Sequence, residues 1–493
     1  MRPRPQAQQR HRRSTPRQCS AAALLCLAVF GCAEQESPAP ASGRPIVLIV
    51  VDTLRADHLG SYGYPRPTSP AFDRWARGGA LFERALATSS WTLPSFASIY
   101  TGLYPRQHGA GDRLDQEEWG VTGLDPELPV LAEILSEAGY VTGALANNPF
   151  LHEKFGVARG FADYRWHLGT NEVIRRADKT VDLALEWVDA RAGAPFFLLV
   201  HFFDPHMDYD PPVGHRGRFT GSYRGKLPFP VTDAAKIKLG WIPLDDADRA
   251  YVTGSYDEEV AFTDEQLGRL LQGLEERGLM GEALVILTSD HGEELFERGS
   301  FEHGHSKYQE LLHVPLVIWG EDVKPGRIDT PVSIVDLFPS VLEAAGLPVP
   351  EGGVGISLLP AATGRGRPPE RPILADGTLH GRRKHALIRW PWKAVAVPAQ
   401  EETLLFNLEE DPGEQRNLAD RHPERLRAML AEFEAISPPR SREGPAAEID
   451  AGVREQLEAL GYATPPAADG PVASPGGVPD PGSAPPSPDH SKR

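Results

Sequence analysis

Aspartate, histidine and asparagine recur at the ends of apolar runs in this chain. RPIVLIVVD closes on Asp52, GYVTGALANN on Asn147 and Asn148, APFFLLVHFFDPH on Asp204 and His206, and ALVILTSDH on Asp290 and His291. Between the first two, SSWTLPSFASIYTG sets one hydroxyl, Thr92, at the start of a helix-like run, with Pro94 behind it. Singly, each has an ordinary reading. Thr92 is a helix N-cap, Asp52 caps a turn, Asp290-His291-Gly292 is a strand exit, and the HGH triplet His303–His305 is loop surface. Jointly, Asp52, Thr92, Asp290 and His291 make an oxygen and nitrogen donor set for one divalent cation. A cation stabilises the alkoxide that threonine alone cannot supply. A helix N-terminus adds amide donors and a positive dipole end for an anionic substrate. The chemistry implied is displacement at phosphorus or sulfur through a covalent threonyl intermediate.

Such a site needs strands that end together. The four runs are apolar throughout, without alternation, as strands buried on both faces are. They alternate with segments of helical period such as PELPVLAEILSEAG, NEVIRRADKTVDLALEWVDARAG and DEEVAFTDEQLGRLLQGLEERG. HVPLVIWG and SIVDLFPSVLEAAG add a further strand and helix. This is the pattern of βαβ units, and open α/β sheets bind ligands outside the carboxyl ends of their strands. The expected fold is α/β, a large, mixed but mostly parallel sheet flanked by helices. After residue 350 the texture changes. HALIRWPWKAVAVP and TLLFNLEEDP read as shorter antiparallel strands, and PERLRAMLAEFEAI as a helix, giving a smaller C-terminal α+β subdomain.

With 493 residues, the chain can bury a large core. Its 68 acids against 51 bases leave a net charge of −17 without a basic stripe, which argues against a nucleic-acid partner. All three cysteines (Cys19, Cys26 and Cys32) lie in the first 32 residues, so the folded body holds neither a disulfide nor a zinc-thiolate site. Six arginines between Arg2 and Arg17 precede AAALLCLAVF, an apolar stretch short for a bilayer span. VFGC then resembles a bacterial lipobox. The expectation is a signal peptide over 1–31 and a lipidated Cys32 anchoring the protein to a membrane, facing the periplasm or the cell exterior; a secreted form and an uncleaved anchor are the alternatives. The remaining boundaries are a linker over 32–44, a catalytic domain over 45–350, the C-terminal subdomain over 351–440, and a Pro/Gly-rich tail over 441–493, mostly disordered by composition.

The stretch from IVLIVVDTLRADHLGSYGYPRPTSP through SSWTLPSFASIYTGLYPRQHG resembles the opening of the sulfatase-like family within the alkaline phosphatase superfamily. The resemblance continues through PFFLLVHFFDPHMDYDPP, ILTSDHGEELFERGSFEHGHSKYQELLHVPLVIWG, VSIVDLFPSVLEAAG and LLFNLEEDPGEQRNLA, covering about residues 45–435. It implies an alkaline phosphatase-like fold and one divalent metal held by Asp52, Thr92, Asp290 and His291. It also implies that Thr92 is the nucleophile and that His206 touches the transferred group or leaving oxygen. His305 is the candidate for protonating the leaving group or steadying the anion, and Asn148, or its neighbour Asn147, falls near the family's substrate-binding lysine.

Three departures mark this chain. Sulfatases that use formylglycine make it from the first residue of Cys/Ser-x-Pro-x-Arg, where this chain has Thr92-Leu93-Pro94-Ser95-Phe96. Thr53 replaces a second aspartate, and Ala146-Asn147-Asn148-Pro149 replaces a Gly-Lys-Trp-His segment. The site thus resembles the branch of phosphoethanolamine and phosphoglycerol transferases, which use an unmodified threonine. Manganese or zinc suits the ligand types better than calcium or magnesium. The expected substrate is a small-molecule, glycan or lipid-head-group ester, with phosphate-type esters favoured over sulfate esters; the oligomeric state is open. Two other readings stand beside this one. One is a catalytically silent protein that keeps the fold to bind an anion or glycan. The other is a two-metal phosphodiesterase with Asp204, His206 and His305 at a second site.

Overall fold

The computed structural model describes residues 43–438 apart from 113–120, 167–174, 192, 232–233 and 239–240, and then 445–447, 452–453 and 457. The expected signal peptide, nearly all of the linker and most of the C-terminal tail lie outside the described residues.

The apolar runs form strands β1 (Ile46–Val51), β2 (Ala80–Phe82), β3 (Val141–Ala146), β4 (Asp163–Trp166), β5 (Phe196–Phe202), β6 (Leu284–Ser289), β7 (Leu316–Trp319) and β8 (Gly326–Ile328). Together they make one eight-stranded sheet in the order β8-β2-β7-β6-β1-β5-β3-β4. Strands β6, β1, β5, β3 and β4 are mutually parallel, and β7 runs antiparallel between β6 and β2. Both faces carry a buried apolar cluster, which is why the central strands lack alternation. Register aligns the ends: Val51 lies opposite both Phe202 and Ser289. Asp52, Asp204 and Asp290 therefore leave the sheet at one rim.

Helix α1 (Thr92–Thr101) is buried along its whole length and ends on Gly102 in the left-handed region, φ 67°. A Cβ at Gly102 would meet the Phe338 ring at 2.8 Å, so this position takes only glycine. Helix α2 (Ala177–Asp189) and the 31-residue α3 (Asp246–Glu276) cover the opposite face. Helix α3 begins eleven residues before the stretch read as helical, at a capping box between Asp245 and Asp248. Its buried acids receive specific donors, which is how polar residues sit inside. Asp257 takes His58, Tyr64 and Arg66, and Glu258 takes the amides of Phe219 and Thr220.

The C-terminal sheet consists of β9 (Ile373–Ala375), β10 (His385–Arg389), β11 (Trp392–Val397) and β12 (Glu402–Asn407), antiparallel throughout and packed with helix α4 (Pro423–Ile436). A buried ion pair inside it orients the carboxylate that ties it to the large sheet's loops. Lys393 Nζ lies 2.7 Å from Glu414 Oε1 with both side chains enclosed, and Glu414 also accepts the amide of Gln309 at 2.7 Å. Among the described residues no helix is long and apolar enough to cross a membrane.

Removing one member of a buried pair strands the other charge. Lys393→Met should therefore destabilise the protein by about 3–5 kcal/mol, and Lys393→Met with Glu414→Gln, which keeps an acceptor for the Gln309 amide, should recover most of the loss. Thermal unfolding of the two variants beside wild type checks this; equal loss in both would contradict it.

Candidate active site

At the shared rim, Asp52 follows β1 and Asp290-His291 follows β6, and all three side chains are fully buried. One donor atom from each lies within 4.8 Å of the others, and among the described residues they form the group able to hold a metal ion. His291 Nε2 is 3.5 Å from Asp52 Oδ1 and 3.4 Å from Asp290 Oδ2. Neither of those oxygens has a hydrogen-bond partner. Two buried carboxylate oxygens pointed at one imidazole nitrogen make a costly arrangement by themselves. With a dication between them it becomes favourable, so the residues present fit a divalent metal.

The electrostatics agree. Burial raises the Asp290 carboxyl well above its ordinary range, and the neighbouring Asp52 charge adds to the effect. Burial also pushes Asp52 upward, but His201, His206 and His291 outweigh it and hold the group at about 2. His291 falls to about 4, chiefly through burial, so its imidazole is neutral and can ligate. Its Nδ1 donates to the Gly292 carbonyl at 2.8 Å, which orients Nε2 toward the carboxylates. Thr53 adopts a left-handed backbone, φ 54°, unusual for a β-branched residue, and its N–H reaches the Asp290 carboxylate. Its side chain is no ligand; its backbone positions one.

Thr92 is the first residue of α1, not its cap. Trp91 holds the cap position, and no side chain caps this end. The expected capping role of Thr92 is corrected accordingly, because its hydroxyl faces the site. Oγ1 lies 3.4 Å from His291 Nε2 and accepts from Asn148 Nδ2 at 3.2 Å. Asn148 Nδ2 also donates to Asp52 Oδ2 at 2.7 Å, and its Oδ1 accepts the Phe150 amide. Asn148, expected among substrate-binding residues, is buried and spends its amide hydrogens on Thr92 and Asp52. The reason is local: it caps the short turn Pro149–Leu151 that follows β3.

His206 lies in the site, its Nδ1 2.6 Å from the Met207 carbonyl and its ring 4.9 Å from that of His303. His305 is turned away. Its Nε2 lies 2.7 Å from Glu294 Oε2, while the His303 ring packs 4.6 Å from His291. The chain reverses at Gly304, φ 80°, so the two histidines of the triplet face different surroundings. His303 Nδ1 is 2.9 Å from buried Glu293 Oε1, which fixes the ring. Asp204, offered as part of a second metal site, receives the first amide of α2 from Ala177 at 2.7 Å.

Sequence reasoning missed four contributors. His201 stands on β5 with Nε2 3.5 Å from Asp52 Oδ2, and Phe96 packs edge-on against its ring at 5.2 Å. The apolar run hid this histidine. Glu293 and His303 carried no signal beyond proximity to the quoted stretches. Lys307, almost fully buried, donates to Ser90 Oγ at 3.0 Å and to the Gly377 carbonyl at 2.7 Å. Burial lowers its ammonium to about 7. The amides of Leu379 and His380 meet the Gly304 carbonyl at 2.8 and 3.0 Å, so the β9–β10 loop backs both the nucleophile loop and the histidine turn.

Comparison with known proteins fits this geometry. A family model described as Sulfatase matches residues 44–347. Arylsulfatase K of Xenopus laevis is 28% identical over 429 residues, covering 74% of this chain and 77% of its own. The structure of a protein bound to its substrate D-glucosamine-2-N,6-O-disulfate aligns with TM-score 0.67 at 20% identity, over 81% of this chain and 99% of that one. The phosphonate monoester hydrolase of Agrobacterium radiobacter aligns with TM-score 0.64 at 20% identity, over 80% and 95%. At these identities the structural likenesses show the fold.

The enclosed carboxylates predict a linkage between metal and stability. Manganese or zinc added to chelator-stripped protein at about 100 times its dissociation constant should stabilise it by about 2.7 kcal/mol. In Asp290→Asn the gain should largely vanish. Differential scanning calorimetry checks both; an Asp290→Asn gain equal to wild type would contradict the ligand assignment.

Proposed function

The chain belongs to the sulfatase family, and from that premise we propose that it is an exported, metal-dependent enzyme in which unmodified Thr92 is the covalent nucleophile. It is an ester hydrolase of the sulfatase family, acting on sulfate or phosphate esters. The observation that supports Thr92 as nucleophile is the placement of its Oγ1 beside His291 Nε2 and Asn148, at the mouth of the Asp52–Asp290 pair. No aldehyde can form from threonine, so phosphate-type esters are favoured over sulfate esters. The alcohol portion is a sugar bearing further anionic groups, in line with the disulfated glucosamine bound by one structural neighbour. Manganese or zinc suits two carboxylates, one imidazole and a hydroxyl. The lipobox-like VFGC supports a membrane-anchored enzyme outside the cytoplasm.

When bound, the metal supplies positive charge that acidifies the Thr92 hydroxyl and offsets charge on an ester oxygen. The chain's own residues do the rest. Asn148 aims Oγ1 by donating to it, and fixes Asp52 with its other hydrogen. The N-terminus of α1 presents amide donors to the incoming anion. Thr92 gives its hydroxyl proton to solvent, and Oγ1 forms its bond to phosphorus as the bond to the alcohol oxygen breaks. That oxygen takes a proton from His303 or His206, whose rings meet edge to face beside the site. Water, or an acceptor alcohol, then displaces Thr92 Oγ1 and gives its proton to the same imidazole. Glu293 holds His303 in the orientation this exchange needs.

Thr92→Ala should lower kcat by at least about 10⁴-fold while retaining metal binding. His303→Ala should cost about 10²–10⁴-fold on an alkyl ester, whose leaving group needs a proton, and far less on a 4-nitrophenyl ester. Steady-state kinetics on the two ester types checks both. Full activity in Thr92→Ala, or equal losses on both esters in His303→Ala, would contradict the assignments.

A further inference from the structure

The chain is strongly acidic, yet the segment inserted between β5 and α3 is not. Between Pro212 and Ile242 it carries Arg216, Arg218, Arg224, Lys226, Lys236 and Lys238 against the single acid Asp233, in a protein of net charge −17. The same insertion holds three of the four large hydrophobic residues exposed among those described: Val213 at 80%, Trp241 at 70% and Phe229 at 38%. Isolated exposed valines need no explanation, but a solvent-facing tryptophan inside a basic insertion does.

The insertion is joined to the site at both of its ends. It leaves the loop that carries His206, and a bridge between Tyr209 and Val231 closes its base. Its one short helix, Ala234–Lys238, returns to the rim, where Lys238 Nζ pairs with Glu302 Oε2 at 2.9 Å, next to His303. Trp241 follows three residues later with its amide on the Lys236 carbonyl at 2.9 Å, so its Cα lies within about 11 Å of that of Lys238. Arg216 and Lys226 are paired with Asp210 and Asp248. Arg218 and Arg224 are exposed and have no acidic partner among the described residues.

We propose that this insertion is a second binding surface for a polyanionic glycan, gripping the chain whose esterified sugar enters the Thr92 site. The proposal rests on the sugar-ester reading above and extends it from one sugar to a polymer. Trp241 offers a flat apolar face to a pyranose ring, and Arg218 and Arg224 pair with sulfate or phosphate groups on neighbouring sugars. Charge favours an anionic occupant, and attachment to the rim favours one continuous with the substrate. An anionic bilayer fits less well, since the insertion's only described helix has five residues and cannot present an amphipathic face to a membrane.

The test uses the full chain and a panel of heparin, chondroitin sulfate and phosphorylated mannan oligosaccharides. Binding is measured by calorimetry at two salt concentrations, beside turnover of a 4-nitrophenyl ester. Wild type should bind at least one glycan in a salt-sensitive manner. Trp241→Ala, and Arg218→Ser with Arg224→Ser, should each weaken binding about tenfold while leaving 4-nitrophenyl ester turnover and melting temperature unchanged. Unchanged glycan affinity in both variants, binding to none of the panel, or binding only to phosphatidylglycerol vesicles would overturn the proposal. Absence of ester turnover in wild type would refute the enzymatic reading instead, and leaves the binding measurement intact.

Discussion

Asp52 and Asp290 end adjacent parallel strands, and each keeps a carboxylate oxygen buried without a hydrogen-bond donor. The rest of the site answers to that constraint. Water is excluded, and His291, held neutral by its burial, brings a lone pair and no charge. A cation would compensate two such groups at this distance, and the Thr92 hydroxyl stands 3.4 Å from the same imidazole nitrogen. The surrounding scaffold makes the arrangement rigid. Strand register sets the two aspartates side by side, Thr53 gives its amide to Asp290, and Asn148 ties Asp52 to Thr92.

The C-terminal sheet belongs to the same account. Its β9–β10 loop meets Gly304 and Lys307, hence both the histidine turn and the residues that precede the nucleophile. Its anchor, the Lys393–Glu414 pair, reaches the amide of Gln309 two residues beyond Lys307. The subdomain thus holds the loop that precedes Thr92 in place. Phe96 has a comparable indirect part: where other family members carry arginine, it packs on His201 behind Asp52.

Much of this was legible in the sequence. Apolar runs closing on aspartate located the strands and the rim, and helix α4 coincides with the stretch read as helical, Pro423–Ile436. The site residues Asp52, Thr92, Asp290 and His291 were legible because they sit where strands or a helix begin or end. What was not legible depends on the third dimension. The choice between His303 and His305 turns on the backbone of Gly304, and Asn148 reads as a substrate contact until its partners are seen. The start of α3 was missed because its first acids look solvated. Asp248 among them is buried and takes Tyr223 and Lys226, and Asp257 and Glu258 further along are enclosed as well. Their donors, among them His58, Arg66 and the Phe219 amide, come from elements distant in sequence.

The account stands on a bond between Thr92 and the transferred group. Wild-type enzyme mixed with an activated aryl phosphate or sulfate and quenched in acid during turnover should carry one added phosphoryl or sulfuryl group. Fragment mass spectrometry of the digested protein should place that group on Thr92. Turnover at full rate with an unmodified Thr92 peptide under rapid quench, or a group on any other residue, would contradict it.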